Sequence, residues 1–280
     1  MSKVLLSLPV EPSTGIPKLS DDELSEKLSL LPPDINIAFL EGSTSDGKDS
    51  YFPLDSAGIV FLDLDFDGDE DMVYSGPAGV NGLRDTKVFF KEGHTLKLYG
   101  TLRGRLLQIN QHKKTTTLST LWQPCCDSYT SRIEKHAVAV HHQVDFVESI
   151  SIIGRIESIF VDPEDGPQVL KGVPDFSSLK QGHIKNTSLY ASRVDFRGTS
   201  PYFRERNKEV REILRKVEEV ALLSIKEKVA VLVLDEKVVG NKQWWLVLTA
   251  PLQGVPKSLY EWSNGDNRRF IGWVDSITLE

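Results

Sequence analysis

The sequence predicts a mostly β protein, with an antiparallel β-meander or propeller-like N-terminal domain and one short helix. From about residue 36 to 165, short apolar runs rich in Val, Ile, Leu, Phe and Thr are separated by Gly, Pro, Asn and Asp. This is the pattern of short strands joined by turns. Similar apolar runs, now rich in Trp and Val, return after residue 225.

Length and composition limit the classes of function. The chain has 280 residues, enough for two domains, with 40% hydrophobic and 26% charged residues, as in ordinary globular proteins. Its net charge of −7 argues against a general nucleic-acid surface, which would need a basic face. Because no apolar run approaches the length that a bilayer requires, no membrane span is predicted.

Changes in composition divide the chain into four segments. Residues 1–35, rich in Pro, Ser, Leu and acids, are predicted to be an N-terminal arm or linker. In this arm, Ser20 is placed to cap a short helix that ends before Pro32. Residues 36–165 form the first β domain, residues 166–184 a linker punctuated by Pro, Gly and acids, and residues 185–280 a second domain.

The strands are predicted from alternating or continuous apolar runs bounded by turn residues. Over 206–220, apolar residues recur at a spacing that fits one helical face. The predicted strands are 35–40, 57–62, 72–74, 87–91, 95–100, 105–109, 117–122, 132–140, 150–160, 228–234, 243–248, 269–275 and 277–279.

The acidic stretch 63–71 has the residue types and spacing of a loop that binds a hard cation. Ca²⁺ takes six to eight oxygen ligands at about 2.3–2.6 Å, and carboxylates at every second residue of a short loop can supply them. Gly68 stands where the chain must turn sharply and where a Cβ would obstruct it. The candidate ligands are Asp63, Asp65, Asp67, Asp69 through its backbone carbonyl, and Asp71.

An EF-hand does not fit this stretch, because Tyr74 occupies the position of the bidentate Glu and the flanking residues predict strands. The alternative is a solvated acidic turn between two strands. The carboxylates of such a turn repel one another strongly without a counterion, which favours cation binding. Ca²⁺ is favoured over Mg²⁺ because the ligands are many and all oxygen.

The segment Phe61–Val73 resembles the FG-GAP/VCBS-type repeat, an "F-x-D-x-D-x-D-G-x-x-D" hairpin followed by two apolar residues. The resemblance covers about residues 57–76. It implies calcium ligation by the five Asp residues of the hairpin. Tandem copies of this repeat build propeller blades in the family, but this sequence contains no second copy of the Asp loop.

The C-terminal region resembles a bacterial Src-homology-3-like domain over about residues 185–280. The resemblance is carried by Val229–Leu234, Trp244–Val247 and Gly272–Leu279, with a start near 190–203. It implies a small β-barrel with an aromatic groove for peptides, often cell-wall peptide. The candidate ligand-binding residues are Trp245, Tyr260, Trp262 and Trp273, and the alternative is that these side chains fill the barrel core.

The sequence offers little for catalysis. It contains no nucleophile elbow, phosphate loop, dinucleotide fingerprint or His-Glu-x-x-His motif. Cys125 and Cys126 are adjacent, so they do not form a disulfide scaffold, and they are predicted to pack as small residues. His136, His141 and His142 are close in sequence but lack a third zinc-ligand signal. A thiol–imidazole pair between Cys126 and one of these histidines is the alternative that an enzyme would need.

These observations together predict a non-catalytic binding protein stabilised by Ca²⁺ that recognises a protein, a peptide or a cell-envelope component. The alternatives are a role in cell-wall peptide hydrolysis and a protein-partner role as an immunity or assembly factor. Residues 1–10 make a poor signal peptide. The calcium loop nevertheless favours an extracytoplasmic setting, with the leader absent from this chain, over the cytoplasmic alternative.

Overall fold

A computed structural model describes residues 19–32, 58–77, 84–122, 130–139, 142–153, 168–171, 179–190, 223–255 and 268–279. In these residues the chain is mostly β, with several antiparallel sheets and a single short helix, as predicted. No helix in the described ranges has the length and apolar character needed to cross a membrane.

The helix α1 (Asp21–Leu28) begins where the sequence predicts it. The Ser20 side chain accepts a hydrogen bond from the Glu23 backbone N–H, and the Glu23 side chain accepts one from the Ser20 N–H, which completes a capping box. Three acidic residues lie in the first turn, where their negative charge interacts favourably with the positive end of the helix dipole.

The first sheet contains four antiparallel strands in chain order: β1 (Ile59–Leu62), β2 (Asp71–Pro77), β3 (Arg84–Glu92) and β4 (Thr95–Arg103). The loop between β1 and β2 is the predicted calcium loop. The predicted hairpin between residues 87–91 and 95–100 is present as β3 and β4.

The second sheet contains ten strands and extends across both predicted β domains. Its strands are β5 (Arg105–His112), β6 (Thr115–Trp122), β7 (Thr130–Ala139), β8 (Gln143–Ile153), β9 (Gln168–Lys171), β10 (Gln181–Ile184), β13 (Val229–Val239), β14 (Lys242–Thr249), β15 (Arg268–Val274) and β16 (Thr278–Leu279). The order of these strands in the sheet is β16-β10-β13-β14-β15-β8-β7-β6-β5-β9, and β15 pairs with β8, and β5 with β9, in parallel. A separate pair consists of β11 (Thr187–Leu189) and β12 (Leu223–Ile225).

The described strands of residues 185–280 lie in open sheets. Within the described ranges no sheet closes into a barrel, so the predicted small barrel appears here only as a mostly antiparallel set of strands. The predicted strand 35–40, the segment 206–220 with its helical spacing and the Cys125–Cys126 pair lie outside the described residues.

A hydrophobic cluster joins the two large sheets. Val60, Val73 and Val88 of the first sheet pack in one cluster with Ile109 and Leu118 of the second. All five side chains are buried. This contact holds the β1–β2 loop against the β5–β6 hairpin of the large sheet, and so it positions the candidate metal site.

Candidate metal centre

The loop that carries the Asp residues is the connection of a regular antiparallel hairpin. Leu62 pairs with Asp71, and the chain between them makes the turn. Two loop residues have left-handed backbone conformations, Phe66 with φ 63° and Gly68 with φ 99°. Gly68 therefore fits its position for backbone reasons, because no atom of the described residues, its chain neighbours aside, lies within 4 Å of a Cβ placed there.

The loop is anchored to the large sheet through backbone carbonyls. Leu64 is fully buried and packs in the cluster between the sheets. Its carbonyl accepts a 2.6 Å hydrogen bond from the Thr116 hydroxyl, and the Asp63 carbonyl accepts one of 2.6 Å from the Gln111 side-chain amide. These contacts place the start of the acidic loop against β5 and β6, which are distant from the loop in sequence.

Thr116→Val tests this anchor. The substitution keeps the volume but leaves the buried Leu64 carbonyl without its donor, so we expect a loss of about 1–3 kcal/mol in unfolding free energy. Thr115→Val, one residue away on an exposed side chain, is the matched control and should change the free energy by less than about 0.5 kcal/mol. Urea denaturation of both variants measures the difference, and equal stabilities would contradict the anchor.

Backbone N–H groups of the loop turn toward its carboxylates. The Asp67 N–H donates to Asp65 Oδ1 at 3.3 Å, the Gly68 N–H to Asp63 Oδ2 at 3.1 Å, and the Asp69 N–H to Asp67 Oδ1 at 2.8 Å. These bonds fix the orientation of three carboxylates. They leave other carboxylate oxygens available to a ligand.

Three of the predicted ligands converge. Oxygen atoms of Asp63, Asp65 and Asp71 all lie within 4.8 Å of one another. Two oxygens on opposite sides of a Ca²⁺ ion are about 4.6–5.2 Å apart, so one ion fits between these atoms. Asp63 Oδ1 is buried and has no hydrogen-bond partner among the residues that the structure describes, which is costly for a carboxylate oxygen unless a cation occupies the site.

Asp71 is the most buried carboxylate of the centre, with 1% of its surface exposed. It accepts hydrogen bonds from the Leu64 N–H at 2.8 Å and the Lys91 N–H at 3.0 Å, so it ties the loop to β3. Burial raises the pKa of Asp71 to about 6, although these two N–H donors act to lower it. Burial, and next the Asp67 carboxylate, also raise the pKa of Asp65. Both shifts show that the site disfavours negative charge when no cation is bound.

The other acidic side chains of the loop turn toward lysines. The Asp69 carboxylate lies 2.8 Å from Lys91 Nζ and is in neither group of converging ligand atoms. Glu70 pairs with Lys27 of α1. The predicted role of Asp69, ligation through its backbone carbonyl, does not require its side chain.

One residue that the sequence does not connect with the acidic loop lies beside it in the structure. His142, at the β7–β8 turn, has Nε2 3.2 Å from Asp65 Oδ2, and it forms a second group of converging ligand atoms with Asp65 and Asp67. No local sequence signal indicates this contact. It depends on the packing of the first sheet against the second.

The predicted aromatic ligand residues are not gathered in one described place. Trp245 is half-buried against the cluster on one face of the large sheet. Trp273 is 5% exposed and packs in the cluster that contains Trp244, so it fills the core. Tyr260 and Trp262 lie outside the described residues.

The two described histidines of the segment 136–142 lie in different surroundings. His136 is buried on β7, with Nε2 3.6 Å from Glu134, whereas His142 faces the acidic loop. His141 lies outside the described residues.

Searches with this chain matched neither a family model nor a curated protein. The geometry of the loop alone therefore characterises the site. It is a half-buried group of carboxylate oxygens with one imidazole beside it, and the spacing of these atoms is compatible with a bound cation.

Proposed function

We propose that this chain is a non-catalytic binding protein whose β1–β2 hairpin is stabilised by a bound Ca²⁺ ion. Asp63, Asp65 and Asp71 would hold the ion through their carboxylates. Asp67 would add a carboxylate and Asp69 its backbone carbonyl. The ion would be structural, since its charge neutralises the loop and its ligands join β1, β2 and the turn between them.

The buried Asp63 Oδ1 is the observation that carries the proposal. A solvated acidic turn would direct its carboxylate oxygens into water, as exposed Asp side chains do. Here an oxygen with no hydrogen-bond partner in the described part of the chain is buried beside Asp65 and Asp71, which are themselves shielded from water. A cation supplies the missing partner for Asp63 and compensates the charge of the other two.

The position of the site explains why an ion would stabilise more than the loop. Asp71 is bonded to the backbone of β3, and the loop carbonyls are bonded to β5 and β6. An ion that fixes the Asp side chains therefore fixes the junction of the two large sheets. Because unfolding separates the ligands, binding free energy adds to folding free energy.

The partner of the protein is proposed from the C-terminal resemblance. A protein, a peptide or a cell-envelope component is the expected ligand, recognised by the second domain. An extracytoplasmic setting suits the proposal, because extracellular calcium-binding modules have dissociation constants of about 10⁻⁴–10⁻³ M.

Thermal unfolding of the full chain in EDTA, and then in 10 mM Ca²⁺ or Mg²⁺, tests the metal. With a dissociation constant of about 0.1 mM, 10 mM Ca²⁺ adds about 2.7 kcal/mol. This corresponds to an increase in midpoint of about 5–10 °C. Asp65→Ala/Asp67→Ala should remove the increase, because it deletes one central and one peripheral ligand.

A matched double variant, Asp22→Ala/Asp145→Ala, removes two exposed carboxylates that belong to neither group of converging ligand atoms. It should retain the full response to Ca²⁺. If wild type gives no shift with Ca²⁺, or if the loop variant and the matched variant respond equally, the acidic loop is an ordinary turn and the proposal is wrong.

A further inference from the structure

We propose that the same loop contains a second cation position, formed by Asp65, Asp67 and His142, which takes a divalent transition ion such as Zn²⁺ or Mn²⁺. This position shares Asp65 and Asp67 with the proposed calcium site, and it does not require calcium to be bound there. It adds a nitrogen ligand from the opposite sheet and a different class of metal.

The three ligand atoms are already gathered. One oxygen each from Asp65 and Asp67 and one nitrogen of His142 all lie within 4.8 Å of one another. The Asp65 side chain is 5% exposed and that of His142 is 22% exposed, so the ligands lie beneath the surface with an opening toward Asp67. The unpartnered Asp63 Oδ1 lies beside Asp65 in the neighbouring group and indicates, independently of His142, that the loop is built around a positive charge.

Aromatic contacts hold the His142 ring in place. The ring stacks on Phe90 with centroids 4.8 Å apart and an interplanar angle of 14°. Tyr99 packs against it edge-on at 5.0 Å. A ring held on two sides has little rotational freedom, so its Nε2 stays directed at the loop.

The far nitrogen of His142 faces a carboxylate. His142 Nδ1 lies 3.6 Å from Glu92 Oε1, and Glu92 is itself bonded to Lys97 and to the Tyr99 hydroxyl. A carboxylate behind one imidazole nitrogen keeps the proton on that nitrogen and leaves the other free for a metal. Glu92 is therefore a positioning residue for His142.

The donor set separates this position from the calcium position. Ca²⁺ prefers oxygen ligands alone, whereas imidazole nitrogen combined with carboxylates suits Zn²⁺, Mn²⁺ and related ions. Three protein ligands leave room for water on such an ion. Asp65 can bridge two ions, as carboxylates do in two-metal sites with ions about 3.5–4 Å apart.

Co²⁺ is the probe of choice, since its visible absorption reports its ligands. The full-length, calcium-free chain is titrated with Co²⁺, and Zn²⁺ is then added as a competitor. We expect a visible band that Zn²⁺ displaces. His142→Gln should weaken Co²⁺ binding by at least about tenfold, as the loss of ligands and their supports does at metal sites.

His94→Gln is the matched control, because His94 lies exposed in the β3–β4 turn. It should bind Co²⁺ as wild type does. Equal Co²⁺ affinity in wild type and His142→Gln, or no Zn²⁺-displaceable band in wild type, would overturn the proposal and leave the His142 imidazole as a neighbour of the Asp65 carboxylate.

Asp63→Asn separates this proposal from the calcium proposal. It alters a ligand of the calcium group only, so it should abolish the Ca²⁺ shift in thermal unfolding and retain the Co²⁺ band. His142→Gln should instead weaken the Co²⁺ band and retain the Ca²⁺ shift in thermal unfolding. If the wild-type chain gives a Co²⁺ band but no Ca²⁺ shift in thermal unfolding, the calcium proposal is wrong and the second cation position is supported.

Discussion

Replacing Phe90 with alanine should lower the free energy of unfolding by about 3–5 kcal/mol. The Phe90 side chain is fully buried in the cluster that joins the two large sheets. Its ring also contacts Tyr99 edge-on at 5.3 Å and stacks on His142. The substitution removes apolar contacts from both sheets at once and leaves a cavity that the strands on either side cannot close.

Urea unfolding measures this cost, with Val147→Ala as the control. Val147 is 44% exposed on β8, and its truncation should cost less than about 0.5 kcal/mol. Phe90→Leu retains most of the volume and should recover a large part of the loss. If Phe90→Ala costs no more than the control, the cluster does not join the sheets as described.

Phe90→Leu has a second use, because it separates packing from ring orientation. Leucine fills the space but does not present a flat face to the His142 imidazole. We therefore expect Phe90→Leu to recover a large part of the stability that Phe90→Ala loses and to bind Co²⁺ more weakly than wild type. This pattern would locate the role of the aromatic ring in holding the histidine.

Much of the β1–β2 hairpin follows from local sequence. Residues 59–62 and 72–74 are short apolar runs, as is typical of strands, and the Asp residues between them recur at every second position. Gly68 marks the turn, and the structure gives it a positive φ. The Ser20 cap is equally local, since a capping box needs only residues three apart.

The rest of the site depends on contacts between distant segments. Thr116, Gln111 and His142 have no feature in sequence that ties them to an acidic loop on another sheet. Parallel pairing of β15 with β8 likewise joins segments that the composition assigns to different domains. Periodicity defines which face of a strand is apolar, but it does not define which strand packs beside it.

The stability of the calcium-free protein should fall as the pH rises from about 4 to 7, and Asp71 should account for much of the fall. Its folded-state pKa of about 6 lies above the ordinary value of 3.8. Between these values the folded state binds more protons than the unfolded state, so deprotonation favours unfolding. A shift of about two pKa units corresponds to about 3 kcal/mol, lost in full above the folded pKa.

Asp71→Asn isolates this contribution, because asparagine has the same shape and does not titrate. The slope of stability against pH in EDTA is the quantity to compare, since an amide cannot accept from both the Leu64 and Lys91 N–H groups and absolute stability will change as well. The variant should show a markedly flatter profile than wild type, and parallel profiles would contradict the assignment. Ca²⁺ favours the ionised carboxylate, so it should stabilise wild type more at pH 7.5 than at pH 4.5. A calcium effect that is equal at the two pH values would mean that the ion, if it binds, does so without Asp71.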